Sequence, residues 1–267
     1  MIPIRDILRP GRFLRTGHRG AAHLAPENTM VSFQKAVDCG VDLIELDVQS
    51  TADGEIVVFH DPAVDRTTNG RGNLAGMRFA DLRNLDAGWQ FSPPAFPFRG
   101  RGITVPSLEE VLSRFPDVGF TVEIKSSPHP FFLPNLMSIL RRNNPERIIV
   151  AAEDHPPLAR IRKEMPDLAT NFSRPEVRWF YFLAKMHLAF FFRSPGTVFQ
   201  VPVYAKGDER GGLRVVTRGF IQAAHAQGRA VQVWTINDPA RMRDLIDLGV
   251  DGLTTDRPDI LNHVRGA

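Results

Sequence analysis

Short apolar runs alternate along the chain with longer stretches in which apolar residues recur every three or four positions. The runs 15–18, 42–48, 56–60, 119–124, 147–151, 168–172, 198–203, 230–235 and 251–254 predict strands. Segments 28–39, 107–115, 131–142, 156–165, 174–192, 214–227 and 238–247 predict helices, opened by capping residues such as Asn28, Ser107 and Asp238. Gly40, Gly228 and Gly249 follow three helix ends, as C-terminal caps do. Strands alternating with helices imply parallel βαβ units. A chain of 267 residues is long enough for one α/β barrel of eight strands. The expectation is a (β/α)8 TIM-type barrel formed by residues 1–267 as a single domain, with a small subdomain inserted after the third strand. Nine strand candidates exceed the eight such a barrel needs, so 198–203 is expected to run outside it. The Asp53-Gly54 turn leaves no room for a helix, so 42–48 and 56–60 join directly, as a hairpin or a short parallel return.

Two segments break the alternation. Residues 62–106 are rich in Gly, Pro, Asn and Arg and form the expected insertion; so long a connection is usually functional. Residues 174–196 carry apolar and aromatic side chains nearly all round a helix, with Lys185 and His187 among them. The segment is too short and too interrupted to span a bilayer. It reads either as an ordinary buried helix or as one that touches a membrane or covers a site.

Composition narrows the class only a little. Hydrophobic residues make up 43% and charged residues 24%, the balance of a globular protein. The net charge is +3 and the pI about 9.3, which suits anionic substrates or lipid headgroups. No like-charge run or nucleic-acid motif is present, so nucleic acid is not expected as a partner. The single cysteine, Cys39, excludes an intrachain disulfide and a cysteine zinc site, and reads as a small buried thiol. No signal-peptide pattern and no apolar run of membrane-spanning length occur, so a cytoplasmic location is expected, with peripheral membrane contact through 174–196 as an addition. Oligomeric state is not legible.

In α/β barrels, functional groups collect at the C-terminal ends of strands. Those ends supply His18 and Arg19, Glu45 and Asp47, His60 and Asp61, Glu123 and Lys125, Trp234 and Asn237, and Asp256. Glu45 and Asp47, two apart, share one face of a strand, where unpaired buried charge is costly. With Glu123 they form an oxygen-rich set suited to a hard divalent cation, Mg²⁺ or Ca²⁺. The competing reading pairs one acid with Arg19 or Lys125 as a structural ion pair. Arg19 can grip a phosphate through its planar fork, and Lys125 adds a point charge. A lone histidine is usually structural, but His18 and His60 at neighbouring strand ends can serve as acid and base. His23, His129, His155, His187, His225 and His263 fall in loops or helices and read as structural or surface residues.

The segments "GHRGAAHLAPENTMVSF", "IELDVQSTADGEIVVFHD", "DRTTNGRG", "VEIK" and "VWTINDPARMRDLIDLGVDGLTTDRPD" together resemble the glycerophosphodiester phosphodiesterase family, in order and spacing, from about Gly17 to Pro258. The resemblance implies the barrel with its insertion and one divalent ion held by Glu45, Asp47 and Glu123. It implies His18 and His60 as the acid/base pair, with Arg19 and Lys125 on the phosphate. Glu27 and Asn28, in the Pro-Glu-Asn-Thr element, would support the metal and phosphate site, with Glu27 near the metal. Trp234 matches an aromatic that packs on substrate; its alternative is a core tryptophan.

The implied reaction is hydrolysis of a small glycerophosphodiester to glycerol 3-phosphate and an alcohol, through a cyclic phosphate or by direct attack of water. The aromatic segment 179–192 and the stretch following it resemble the branch that acts on lysophospholipids as a phospholipase D. A barrel that merely binds phosphodiesters or membrane surfaces is the remaining alternative, and it would need no histidine pair.

Overall fold

The computed structural model describes residues 3–92, 94–125, 128–205 and 212–266. Its strands are β1 (Leu14–Gly17), β2 (Leu43–Ser50), β3 (Ile56–Val58), β4 (Gly119–Ile124), β5 (Ile148–Ala151), β6 (Ala169–Thr170), β7 (Val198–Pro202), β8 (Ala230–Trp234) and β9 (Gly252–Thr255). All nine expected runs are strands. The longer helices are Met30–Asp38, Leu108–Arg114, Phe132–Arg142, His155–Glu164, Arg174–Lys185, Arg218–His225 and Pro239–Leu248. A further helix, Pro258–Gly266, was not expected from the pattern.

Gly17–Pro145 forms one compact unit, and the segments on either side of it form the second. In the first unit β2 pairs with β4 in parallel, from Leu43 opposite Gly119 to Val48 opposite Ile124. The other edge of β2 takes β3 antiparallel, with Val48 opposite Val58 and Ser50 opposite Ile56. The open question of 42–60 is thereby answered: it is a hairpin, turned at Gly54, whose φ of 84° lies in the left-handed region that glycine tolerates.

In the second unit β5 pairs with β6, and β7, β8 and β9 pair in sequence, all in parallel. This corrects the expectation for 198–203. The segment is not outside the sheet; β7 matches β8 along its whole length, from Val198 to Pro202. Pro202 sits at the last position of the strand, opposite Trp234. The supernumerary strand is β3, since an antiparallel hairpin strand of three residues adds no βα unit.

The insertion is packed rather than structureless. Val64, Leu74, Leu82, Ala87, Ile103 and Val105 bury themselves with Val57 and Phe59 from the end of the hairpin. The second unit has a phenylalanine-rich core, in which Phe180 lies 4.5 Å from Phe199, 5.1 Å from Phe192 and 5.2 Å from Phe220 between ring centroids. Cys39 is half-buried at the end of its helix, not buried as expected. Among the described residues no helix is long and apolar enough to cross a membrane.

Candidate active site

The site begins with the pairing of β2 and β4. Their parallel register sets Asp47 directly opposite Glu123, and Glu45 follows on the same face two residues earlier. The three carboxylates bring one oxygen each to within 4.8 Å of one another. Glu45 and Asp47 are buried, so their charges are out of water. Glu45 Oε1 accepts no hydrogen bond from the protein. Burial, with Asp47 beside it, pushes the Glu45 carboxyl up to about 8.

Asp47 is treated differently. Desolvation acts to raise it, but Lys125, Arg19, His60 and the Asn28 amide together hold it below the ordinary carboxylate value. Lys125 Nζ lies 3.1 Å from Asp47 Oδ1 and 2.6 Å from Glu123 Oε1. Arg19 Nε lies 3.3 Å from Asp47 Oδ2, and Asn28 Nδ2 donates to the same oxygen at 2.8 Å. The ion-pair reading of the acids is therefore satisfied for Asp47 and Glu123. It is not satisfied for Glu45, whose nearest basic side chain is His18, with Nε2 at 3.9 Å.

A tight loop delivers His18 and Arg19. A Cβ on Gly17 would stand 2.2 Å from the Gly20 carbonyl oxygen, and one on Gly20 would strike the Ser32 backbone, so only glycine fits at either place. Arg19 itself has a φ of 49°, unusual for a side-chain-bearing residue and held by the hydrogen bonds around it. Its N–H donates to Glu45 Oε2 at 2.8 Å, and Ser32 Oγ donates to its carbonyl at 2.9 Å. Asn28, expected as a helix cap, is not one. Thr29 accepts from Ser32 N–H and caps the helix. Asn28, with a φ of 55°, is freed to bind Asp47.

His60 follows β3. The Gln49 side-chain amide donates to the carbonyls of Phe59, His60 and Asp61 at 2.8–3.0 Å, which fixes the turn on which the imidazole sits. His60 Nδ1 lies 2.6 Å from Asp61 Oδ1, leaving Nε2 as the outward nitrogen. Arg66 then grips Asp61 through Nε at 2.6 Å and Glu27 through Nη1 and Nη2 at 2.8 and 2.7 Å. Glu27 in turn accepts from Arg19 Nη1 at 2.8 Å. Glu27 is thus tied to two arginines and is not one of the three clustered carboxylates; one of those arginines, Arg19, also lies beside Asp47. Burial alone would raise its carboxyl, but Arg66 and Arg19 hold it below its ordinary value.

Among these residues five carboxylates meet three permanent cations, Arg19, Lys125 and Arg66. With all five ionised, two negative charges would lack a matching cation, and burial opposes this by raising the Glu45 carboxyl, whose Oε1 has no donor. An all-oxygen donor set with that charge fits one hard divalent cation.

Arg66, Gln49 and Asp61 carry no role in the sequence reading, although Arg66 lies in "DRTTNGRG" and Asp61 follows His60 directly. Nothing in the pattern marks Gln49, whose partners are backbone carbonyls. Trp234 ends β8 and is 38% exposed, so its core reading is wrong. In the same unit Asn237 Nδ2 donates to Asp256 Oδ2 at 2.6 Å.

Residues 18–260 match the glycerophosphoryl diester phosphodiesterase family. The glycerophosphodiester phosphodiesterase of Bacillus subtilis (strain 168) is 30% identical over 273 residues, 97% of this chain and 89% of that protein. A glycerophosphoryl diester phosphodiesterase of Silicibacter pomeroyi DSS-3, described as putative, shares the fold with a TM-score of 0.78 at 25% identity. That likeness covers 97% of this chain and 95% of that one, and makes the fold the TIM-type α/β barrel. An Oleispira antarctica phosphodiesterase, solved with its product sn-glycerol-3-phosphate, is 23% identical with a TM-score of 0.77, covering 98% and 99% of the two chains. The chain belongs to the glycerophosphoryl diester phosphodiesterase family and is a glycerophosphodiester-hydrolysing enzyme.

Proposed function

We propose that residues 1–267 work as one barrel domain, with its insertion at about 62–106, that hydrolyses small glycerophosphodiesters to glycerol 3-phosphate and an alcohol with His18 and His60 as acid and base. The observation that carries this is the convergence in one unit of two histidines, two cations and three carboxylates, one with an unpartnered buried oxygen. The sn-glycerol-3-phosphate in the Oleispira antarctica enzyme agrees with the product.

In this mechanism Glu45, Asp47 and Glu123 hold one divalent cation, Mg²⁺ or Ca²⁺. When bound it supplies a Lewis acid for a phosphoryl oxygen. Arg19 and Lys125 bind the phosphate and stabilise charge as it develops. The Asp61 carboxylate holds His60 through Nδ1, so Nε2 exchanges the proton. One histidine takes the proton of the attacking hydroxyl and the other protonates the departing alcohol. If the glycerol hydroxyl attacks, a cyclic phosphate forms and water opens it with the roles reversed; attack by water itself needs one such step. Asn28 and Glu27 support the site by orienting Asp47 and Arg19. Trp234 is exposed at the end of β8, as a substrate-facing aromatic would be.

A second substrate class is favoured by the aromatic residues exposed between 179 and 191. A soluble diester needs no apolar surface, whereas a lysophospholipid does. Contact with a membrane through 174–196 belongs to that reading. Of the stretch that follows, 206–211 lies outside the described residues. Choline release from glycerophosphocholine and from lysophosphatidylcholine, measured side by side with metals added one at a time, separates the two. Turnover of glycerophosphocholine alone discards the lipid reading; turnover of neither discards the proposal.

A further inference from the structure

The helix Arg174–Lys185 is divided in an unusual way. Phe180, Tyr181 and Leu183 enter the core of their unit. The opposite face does not turn polar. Trp179, Phe182 and Met186 are 58%, 52% and 63% exposed, at spacings of three and four that align them on one side. The turn Ala189–Phe191 adds Phe190 and Phe191, 58% and 63% exposed, with ring centroids 4.3 Å apart.

Charge on the segment is one-sided. Residues 174–193 contain Arg174, Arg178, Lys185 and Arg193 against one acid, Glu176. Glu176 faces inward, held by Arg162 Nη1 at 2.8 Å and by the Ser173 hydroxyl at 2.7 Å. Arg174 is paired with Glu153. Arg193 Nη1 donates to the carbonyls of Phe190 and Phe192, which fastens the cation beside the two exposed rings. Arg178, Lys185 and Arg193 thus flank exposed aromatics with no outward acid in the segment. Large aromatics beside basic side chains on a short helix are the arrangement that lies in a lipid interface.

We propose that this face docks on a membrane surface carrying anionic headgroups. Trp179, Phe182, Met186, Phe190 and Phe191 enter the boundary between headgroups and acyl chains. Arg178, Lys185 and Arg193 meet the lipid phosphates. This deepens the membrane contact of the proposed function, yet it holds whichever diester is hydrolysed.

The test is co-sedimentation of the full chain with phosphatidylcholine vesicles, with and without phosphatidylglycerol. Binding is expected to the anionic vesicles, falling as salt rises. The double variant Phe190→Ser, Phe191→Ser should weaken it by about tenfold or more, and Arg178→Gln by about fivefold. Both variants should hydrolyse soluble glycerophosphocholine as the parent does, which keeps a failure of this proposal distinct from a failure of the catalytic one. Amide exchange of the parent protein gives a second readout that needs no variant: exchange in 179–191 should slow on anionic vesicles. Unaltered vesicle binding by the double variant overturns the proposal. So does equal binding to neutral vesicles, exchange unchanged in 179–191, or a parent dimer that the double variant abolishes, which would make the occupant a second copy of the chain.

Discussion

The carboxylate site of β2 and β4 and the segment 174–193 depart from ordinary burial in opposite directions. The first takes charge out of water: Glu45 and Asp47 are buried, with cations and an amide arranged around them. The second leaves five large apolar side chains in water. Each inversion opposes folding and points outside the chain for its compensation. The buried acids leave one Glu45 oxygen without a donor, and a buried polar atom left unsatisfied is costly, a cost that the proposed cation would relieve. The exposed rings would gain from the proposed lipid contact, since burying apolar surface is favourable by roughly 25 cal/mol per Å².

If the comparison is right, damage to the first region should remove activity and spare stability, while loss of the exposed rings of the second should alter neither stability nor turnover of soluble substrate. The largest effect belongs to the histidines. His18→Ala or His60→Ala should lower kcat about 10²–10⁴-fold, with thermal unfolding little changed. Steady-state kinetics on glycerophosphocholine read this, and full activity in either variant removes that histidine from the reaction.

Next comes Arg66, which holds both the carboxylate against His60 and the carboxylate against Arg19. Arg66→Ala should lower kcat by about 10–100-fold, the range for residues that orient reacting groups. Added guanidinium should restore part of it, and Arg66→Lys should not, because an ammonium cannot span both acids. An unchanged kcat would reduce Arg66 to a surface ion pair.

Two aromatic substitutions sharpen the contrast within the second region. Phe180→Ala, in the core, should destabilise by about 3–5 kcal/mol. Phe190→Ser, ten residues on and exposed, should stay within about 0.5 kcal/mol. Urea unfolding of the two variants gives the answer, and similar losses would mean the outer rings are packed. Phe192, the last residue of the aromatic segment 179–192, belongs with Phe180: its ring lies 5.1 Å from Phe180 and 5.5 Å from Phe172.

A last check, on pH dependence, concerns Glu176, the inner anchor of the aromatic helix. Burial opposes its charge, but Arg162, Ser194 and Ser173 prevail and hold its carboxyl down at about 2. A folded-state value below the unfolded one stabilises above about pH 4.5, and that stability is lost as pH falls towards 2. Unfolding midpoints should therefore drop through this window, and Glu176→Gln should flatten the drop. A variant with the parent's pH dependence would deny the role of that carboxylate.

Much of the architecture was legible because strands and helices differ in period. The glycines at 40, 54, 228 and 249 all take a positive φ where the sequence placed a helix end or turn. The error over 198–203 came from counting strands: a short hairpin strand and a βα strand look alike as apolar runs, and only pairing separates them. In the site, Glu45, Asp47 and Glu123 were found because strand periodicity and parallel register bring them together. Asn28 was misread as a helix cap because its side-chain partner, Asp47, comes from elsewhere in the fold. Arg66 reaches Glu27 from thirty-nine positions away, a distance no local pattern encodes. The buried and exposed halves of 174–192 were likewise indistinguishable while aromatics ran all round the helix.

The central claim is that the three carboxylates exist to hold a divalent cation for phosphodiester hydrolysis. Its most direct measurement is glycerophosphocholine turnover by the parent and by the Glu45→Ala, Asp47→Ala double variant, before EDTA, after EDTA and after metal is returned. The account predicts activity in the parent alone, abolished by EDTA and restored by Mg²⁺ or Ca²⁺. Robust turnover by the chelated parent together with robust turnover by the double variant would contradict it.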